Sequence, residues 1–443
     1  MNPADLARRL TALGLPHGAD VALAVSGGPD SLALMHLAAA LQGGALGTVT
    51  VLTVDHGLRC SAASEAAFVA GQAAALGLAH HTLKGATAPG NVQQEARRLR
   101  YDRMAAWCCA AGVGHLLTAH HRDDQAETLL LRLARGSGVD GLAGMAPARP
   151  LWGGAVWLLR PLLDVPRSSL AAVVRAAGVQ PVADPSNENP QFARTHARRL
   201  LADPVVPGME AARLAETAAR LRGAHNSLLW HSLSWLDGAW QPDGVGAGVL
   251  DPARLSLAPY ETVARGLGLL LRWLGGREHP PRRHKLDRLI EALNRADFTG
   301  ATLAGVRLLP INAGQGGCLM VREAATMPVL DLPRGLTCLF YDRRYRLDWP
   351  GGAGFRLAPL GETGRLALRD ALDDGRAGAA PDLPPAPVTA AQPGLWFENT
   401  LVGAPTLDYV GNQVPDGTVL HPVSWANVRK NASAGLTMDA APL

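Results

Sequence analysis

Only three lysines, Lys84, Lys285 and Lys430, occur in the 443 residues, and none follows a glycine. A Walker-type phosphate loop, which ends in Gly-Lys-Ser/Thr, is therefore excluded. Cysteine is also scarce: Cys60, Cys108, Cys109, Cys318 and Cys338 form no C-x-x-C pair. That spacing speaks against a disulfide framework, a zinc ribbon and a cysteine-bound iron-sulfur cluster, and the thiols are expected to be reduced and mostly structural. Long apolar runs are missing; a stretch such as 267–274 is broken by Gly268 and Arg272 well short of a bilayer span. The first residues carry Asp5 and no apolar signal core, so no membrane association and a cytoplasmic location are expected. The net charge of +4 is mild. Arginine in place of lysine favours bidentate phosphate contacts, but an Ala, Gly and Arg rich composition gives the same bias without any functional cause. The length exceeds one ordinary core, and two or three domains are expected.

Against these absences, residues 21–35, VALAVSGGPDSLALM, stand out. Residues 21–25 read as a buried strand, and Leu32, Leu34, Met35 and Leu37 resume as a helix. Between them lies Ser26-Gly27-Gly28-Pro29-Asp30-Ser31. Adjacent glycines let backbone N–H groups approach an anion, and the helix that follows points its positive end at the same place. Two serines add hydroxyl donors. A carboxylate beside bare polyphosphate would be repelled, so Asp30 implies magnesium between the two. An ordinary Gly-Pro turn is the bland alternative. The string Gly136 to Gly141 has G-x-G-x-x-G form but follows a helical run, 127–135, rather than a strand, so the dinucleotide fold context fails.

In chain order, residues 1–13 read as an amphipathic helix, 48–54 as a strand ending in Asp55-His56-Gly57-Leu58-Arg59, and 61–76 as a helix. A strand over 79–83 precedes a long helix, 91–111, whose charged side chains either face solvent or meet nucleic acid phosphate. The strand 115–118 leads into Ala119-His120-His121-Arg122-Asp123-Asp124-Gln125-Ala126-Glu127-Thr128. On a helix starting near His121, Asp124 and Glu127 are three apart and His120 lies at the entry. Two carboxylates and an imidazole suit magnesium binding or acid-base work, or they cap the helix. A strand over 156–163 and a helix over 167–177 follow. Strand-helix alternation from 21 to 178 predicts an α/β fold, a mostly parallel doubly wound sheet with both chemical stretches at one edge. Beyond Asp184-Pro185-Ser186-Asn187, Arg194 and Arg198 share one face of a short helix and would repel unless an anion lay between them, the ordinary alternative being a surface helix with solvated arginines. From 206 the pattern turns helical, with helices over 213–235, 259–274 and 285–295, a basic run over 277–288 and a strand pair over 301–309 and 318–323. After 328, Pro, Gly and Ala rich sequence predicts a small β-containing module. The expected domains are 1–205, 206–327 and 328–443.

Ser-Gly-Gly-Pro-Asp-Ser at 26, Val-Asp-His-Gly-Leu-Arg at 54 and Thr-Ala-His-His-Arg-Asp-Asp-Gln-Ala-Glu-Thr at 118 together resemble the N-type ATP pyrophosphatases, or PP-loop superfamily. Arg-Gly-Ser-Gly-Val-Asp-Gly-Leu-Ala-Gly-Met from 135, Arg-Pro-Leu-Leu at 160 and Asp-Pro-Ser-Asn at 184 resemble, within it, the tRNA(Ile)-lysidine synthetase family. The resemblance covers roughly the first half of the chain. It implies that ATP adenylates the C2 oxygen of the wobble cytidine in the CAU anticodon of an isoleucine tRNA, and that free L-lysine then displaces AMP to give lysidine. It also implies that Ser26, Gly27, Gly28, Pro29, Asp30 and Ser31 hold ATP phosphates, with Asp30 and Asp124 on Mg2+. His120, Asp124 and Glu127 would orient lysine and cytidine, and Arg194 and Arg198 would hold phosphate. Thr195 stands where that pattern has asparagine. Two alternatives are a cytidine thiolase, which would need clustered cysteines, and a non-catalytic nucleotide- or RNA-binding protein, which would not need so many acidic groups. A homodimer is one open possibility for the assembly.

Overall fold

The fold is that of a computed structural model, which describes residues 1–55, 62–84, 92–182, 193–203, 207–311, 316–335, 337–373 and 383–440. Residues 56–59 of the second motif, the Asp-Pro-Ser-Asn turn at 184 and Phe192 lie outside the described residues. Two compact units divide the chain, 1–227 with 433–443, and 228–432.

The first unit opens on a capped helix, α1 (Pro3–Ala12), where Asn2 accepts from the Asp5 N–H and Asp5 accepts from the Asn2 N–H. Strand β1 (Ala19–Ala24) then feeds α2 (Pro29–Ala39), β2 (Leu46–Asp55), α3 (Ala62–Ala75), β3 (Ala79–Lys84), α4 (Val92–Ala110), β4 (His115–Leu117) and α5 (Arg122–Leu133). A one-turn helix, α6 (Val139–Leu142), precedes β5 (Ala148–Leu151), β6 (Val156–Leu159), α7 (Arg167–Ala176), α8 (Ala193–Ala202) and the long α9 (Ala211–Ala239). The sheet order is β3-β2-β1-β4-β6-β5, parallel except for the pairing of β5 with β6. This is the expected doubly wound sheet. Alternate strand residues serve opposite faces: Val21, Leu23, Leu117 and Leu159 join a core with α1, α2 and α7, while Ala22, Leu116 and Leu158 join another with Met104 and Cys108 of α4.

Two local departures have plain causes. The strand expected over 156–163 stops at Leu159, because Pro161 has no N–H to donate to the ladder. The unforeseen β5 contains Pro150, which an edge strand tolerates and a central one does not.

The second unit begins inside α9 and continues with β7 (Trp240–Pro242), β8 (Gly248–Leu250), α10 (Tyr260–Leu274), α11 (Arg283–Leu293), β9 (Ala301–Leu303), β10 (Val306–Pro310) and β11 (Cys318–Arg322). The region read as helical thus also carries a five-stranded sheet, β7-β8-β11-β10-β9, against which α10 and α11 bury Leu267, Leu271 and Ile290. The expected strand over 301–309 folds back on itself because Ala304 and Gly305 both take positive φ, 55° and 81°. The rest comprises β12 (Leu330–Asp331), β13 (Thr337–Tyr341), β14 (Tyr345–Trp349), β15 (Phe355–Pro359), α12 (Gly361–Asp373), α13 (Ala386–Ala390), β16 (Pro393–Phe397), β17 (Thr400–Ala404), β18 (Tyr409–Val410), β19 (Val419–Pro422) and α14 (Trp425–Ala440). Its strands form one sheet of five and one of three. Among the described residues no helix is long and apolar enough to cross a membrane.

Candidate active site

The sheet order places the two chemical stretches side by side. β1 pairs with β2 on one flank and with β4 on the other, so the connections leaving β1 and β4 run in opposite directions across the sheet. A crevice opens at such a switch point, beyond the carboxyl ends of the strands. The loop 25–28 and α2 stand on one side of it, the turn at 118–121 and α5 on the other.

On the β1 side the chain reverses through Gly27, at φ 81°, where its carbonyl accepts from the Val182 N–H at 3.0 Å. A side chain at Gly27 would meet Val182 Cγ2 at 3.2 Å as well as adopting left-handed backbone. The Ser31 hydroxyl donates to the Gly28 carbonyl at 2.9 Å and accepts from the Ser26 N–H at 3.2 Å, which fixes the loop to the first turn of α2. No side chain caps α2, and Pro29 occupies its first turn, so the positive end of the helix faces the crevice. That is a cradle suited to phosphate.

Across the crevice the side chains meet. His121, only 2% exposed, caps α5: its Nδ1 accepts from the Asp124 N–H, and Asp124 Oδ2 accepts from the His121 N–H at 3.1 Å. In the neutral ring Nδ1 is the acceptor and Nε2 carries the proton; Nε2 lies 3.4 Å from Asp30 Oδ2 and 3.5 Å from Asp124 Oδ2. Burial opposes the imidazolium. Hydrogen bonding to Asp30 and the charges of Asp124, Asp30 and Asp123 outweigh it and raise His121 above the ordinary histidine range. His120, the histidine favoured from sequence, instead turns Nδ1 to the Thr118 hydroxyl at 3.0 Å. Sequence reading missed His121, although its place just before an acidic first turn is an N-cap signal.

Helix α8 lies on α5 and supplies the arginines. Arg194 donates from Nε to Glu127 Oε2 at 2.6 Å and from Nη2 to Asp124 Oδ1 at 2.9 Å, and Arg198 donates from Nε to Glu127 Oε1 at 2.6 Å. The anion that allows two arginines on one face is therefore the carboxylate of Glu127, itself 3% exposed.

The carboxylates at the crevice differ in their fit to a magnesium ion. Among the described residues Asp30 Oδ1 is buried and accepts no hydrogen bond, and Arg167 Nε lies 4.0 Å from it. An unsatisfied carboxylate oxygen beside a phosphate cradle is the ligand a hard cation takes. Asp124 differs, since Arg194 and His121 engage both its oxygens. A sulfur-transfer site, by contrast, needs exposed thiolates, and burial pushes the thiols of Cys108 and Cys318 up to about 12.

A staple completes the α5 side. Gln125 exchanges two hydrogen bonds with the Met145 backbone, at 2.6 and 2.9 Å, and Arg132 and Arg222 donate to the carbonyls of Gly141, Ala143 and Gly144 at the end of α6. These residues hold the 136–145 loop against α5.

Residues 4–204 match the PP-loop domain family. Over 386 residues the chain is 40% identical to a tRNA(Ile)-lysidine synthase of Ruegeria pomeroyi, covering 86% of this chain and 87% of that relative. It is 44% identical over 325 residues to a tRNA(Ile)-lysidine synthase of a Methylobacterium species, covering 72% and 92%. Among solved structures, a U34-tRNA thiolase of Methanococcus maripaludis with a [4Fe-4S] cluster aligns at 16% identity and a TM-score of 0.41, over 50% of this chain and 79% of that one.

Proposed function

The chain belongs to the tRNA(Ile)-lysidine synthase family, and from that premise we propose how its own residues carry the reaction. The enzyme is a ligase that modifies tRNA(Ile) to lysidine at the expense of ATP. The cytidine C2 oxygen attacks the α-phosphate, pyrophosphate leaves, and an amine then replaces AMP at C2. In our reading that amine is free L-lysine, the reaction uses Mg2+, and it takes place in the cytoplasm on the CAU anticodon.

In-line attack on phosphorus needs positioning and charge stabilisation more than a protein nucleophile. The loop Ser26 to Ser31, with Gly27, Gly28 and Pro29 setting its shape, and the uncapped end of α2 would hold the phosphates that leave. Asp30 would hold magnesium, with Asp124 the second carboxylate of the set; the ion supplies charge neutralisation as pyrophosphate departs. Asp124 and Glu127 suit the cationic groups of lysine, and the guanidinium that bridges them in the structure supports this, since the pair already holds one cation. His120 would orient the acceptor base. Arg194 and Arg198 would turn to phosphate. The segments 206–327 and 328–443 would engage the tRNA body, for which the exposed Arg277, Arg282 and Arg288 provide positive charge.

The single observation that carries this reading is the meeting of Asp30, His121 and Asp124 within 3.5 Å at the switch point of the sheet. The test is release of AMP and pyrophosphate from ATP with tRNA(Ile), with and without lysine. We expect lysine incorporation into the tRNA, and Asp30→Ala to lower AMP formation about a hundredfold or more while the circular dichroism spectrum is kept. Turnover that required sulfide, or tRNA without bound lysine, would sink the lysidine assignment; undiminished AMP formation would remove Asp30 from the site.

A further inference from the structure

His121 joins two elements that the sequence separates by ninety residues, and its two ring nitrogens do different work. Nδ1 serves its own helix, accepting from the Asp124 N–H as an N-cap. Nε2 serves the other side of the crevice, 3.4 Å from Asp30 Oδ2 on α2. A cap alone explains only the first nitrogen. Serine, asparagine or aspartate caps a helix as well or better, and none of them reaches across to a second element. The imidazole is almost wholly buried, at 2% exposure, so its ring is held by packing and cannot swing to solvent. Engaging Oδ2 also leaves Asp30 Oδ1 as the buried oxygen without a hydrogen bond. One carboxylate oxygen is thus engaged and the other left without a hydrogen bond.

We propose that His121 is a positioning residue: through Nε2 it fixes the Asp30 carboxylate by one oxygen and leaves the other for the metal, and so aligns the nucleotide side of the crevice with α5. The inference rests on the reading that Asp30 binds the metal of Mg·ATP. It assigns to His121 the part that outer-shell partners play in metal sites, where orientation of a ligand contributes about 10–100-fold in affinity.

Two substitutions separate the roles of the two nitrogens. His121→Asn keeps an acceptor where Nδ1 stands, so the cap survives, but has no donor that reaches Asp30. His121→Gln keeps a donor of comparable reach to Asp30 and gives up the preferred cap chemistry. The readout is equilibrium binding of α,β-methylene ATP with Mg2+, followed by calorimetric titration, beside the thermal midpoint of each variant. We expect the Asn variant to melt within about 3 °C of the native protein, yet to bind the analogue about tenfold or more weakly and to need more Mg2+ for half-saturation. The Gln variant is expected to bind within about threefold of the native protein. Asn binding as tightly as the native protein, or Gln losing as much as Asn, would overturn the proposal and leave His121 a helix cap. Should the Asn variant fail to fold, the Gln variant decides by itself, retained binding supporting the proposal and lost binding overturning it. Asp30→Asn serves as the control: if it leaves Mg2+-dependent binding intact, the metal reading of Asp30 fails, whereas loss there with no loss in His121→Asn sinks only the role of His121.

Discussion

Glu127 shows how one buried side chain settles an argument that the sequence could only frame. Spacing alone put Arg194 and Arg198 on one helical face, which left open an anion between them or two solvated side chains. The partner lies 67 and 71 residues earlier in the chain, on a different helix, and only packing of α8 on α5 reveals it. Because Glu127 is 3% exposed while the arginines are 39% and 31% exposed, the network sits between a buried and a surface ion pair. Glu127→Gln would leave two guanidinium groups facing each other across a neutral amide. Full burial would set the cost at about 3–5 kcal/mol, and the solvent reaching the arginines lowers it to about 2 kcal/mol. Urea unfolding measures this as a fall in midpoint at constant slope; an unchanged midpoint would mean that screening cancels the network's contribution. The carboxylates of the site were thus legible in the sequence, Asp124 and Glu127 by their spacing and Asp30 by its oddity beside a phosphate loop. The approach of His121 to Asp30 was not, because it depends on the pairing of β1 with β4 rather than on any local spacing.

At the scale of elements, the glycines between Gly136 and Gly144 explain why a nucleotide fingerprint in the sequence is not one in the fold. Gly138 is the N-cap of α6, and Gly136 and Gly144 take positive φ, 67° and 66°, at the two turns that bracket it. The loop they make is pinned by Gln125, Arg132 and Arg222. Gly144 is the tightest point: a Cβ there would stand 2.7 Å from Gln125 Oε1 and 3.3 Å from the Ala218 Cβ, on backbone that only glycine adopts freely. Gly144→Ala is therefore expected to displace Gln125 from the Met145 backbone and to cost about 2–3 kcal/mol, from backbone strain and the lost hydrogen bonds together. Thermal denaturation checks the stability, and accelerated amide exchange at Met145 checks the location. A variant that melted with the native protein and kept Met145 protected would show that the staple gives way without cost.

The whole molecule has separate cores in its two units, those around Leu23 and Leu116 in the first and those around Leu271 and Leu347 in the second. Separate cores need not melt together, and the proposed nucleotide site lies wholly in the first unit. Scanning calorimetry is expected to resolve two transitions, of which adding Mg2+ and α,β-methylene ATP raises only one, by about 2.7 kcal/mol at a hundred times the dissociation constant. A shift of both together would show that the units unfold as one. The first unit was the more legible because parallel strands buried on both faces and long intervening helices leave continuous apolar runs, so that β1 to β4 and α1 to α5 were each foreseen to within a few residues. The second was less so: β7, β8 and β9 are three residues each, too short for a periodic signal, and turn on backbone conformations such as Ala304 at φ 55° that residue type does not announce. The sequence by itself determined the candidates, a Gly-rich loop between strand and helix and carboxylates spaced along one helix, since these are local arrangements of residue types. Tertiary structure alone decided which of them meet, because the pairing of β1 with β4 brings Asp30 to His121, and the packing of α8 on α5 brings Arg194 to Glu127, across chain separations over which local periodicity carries no information.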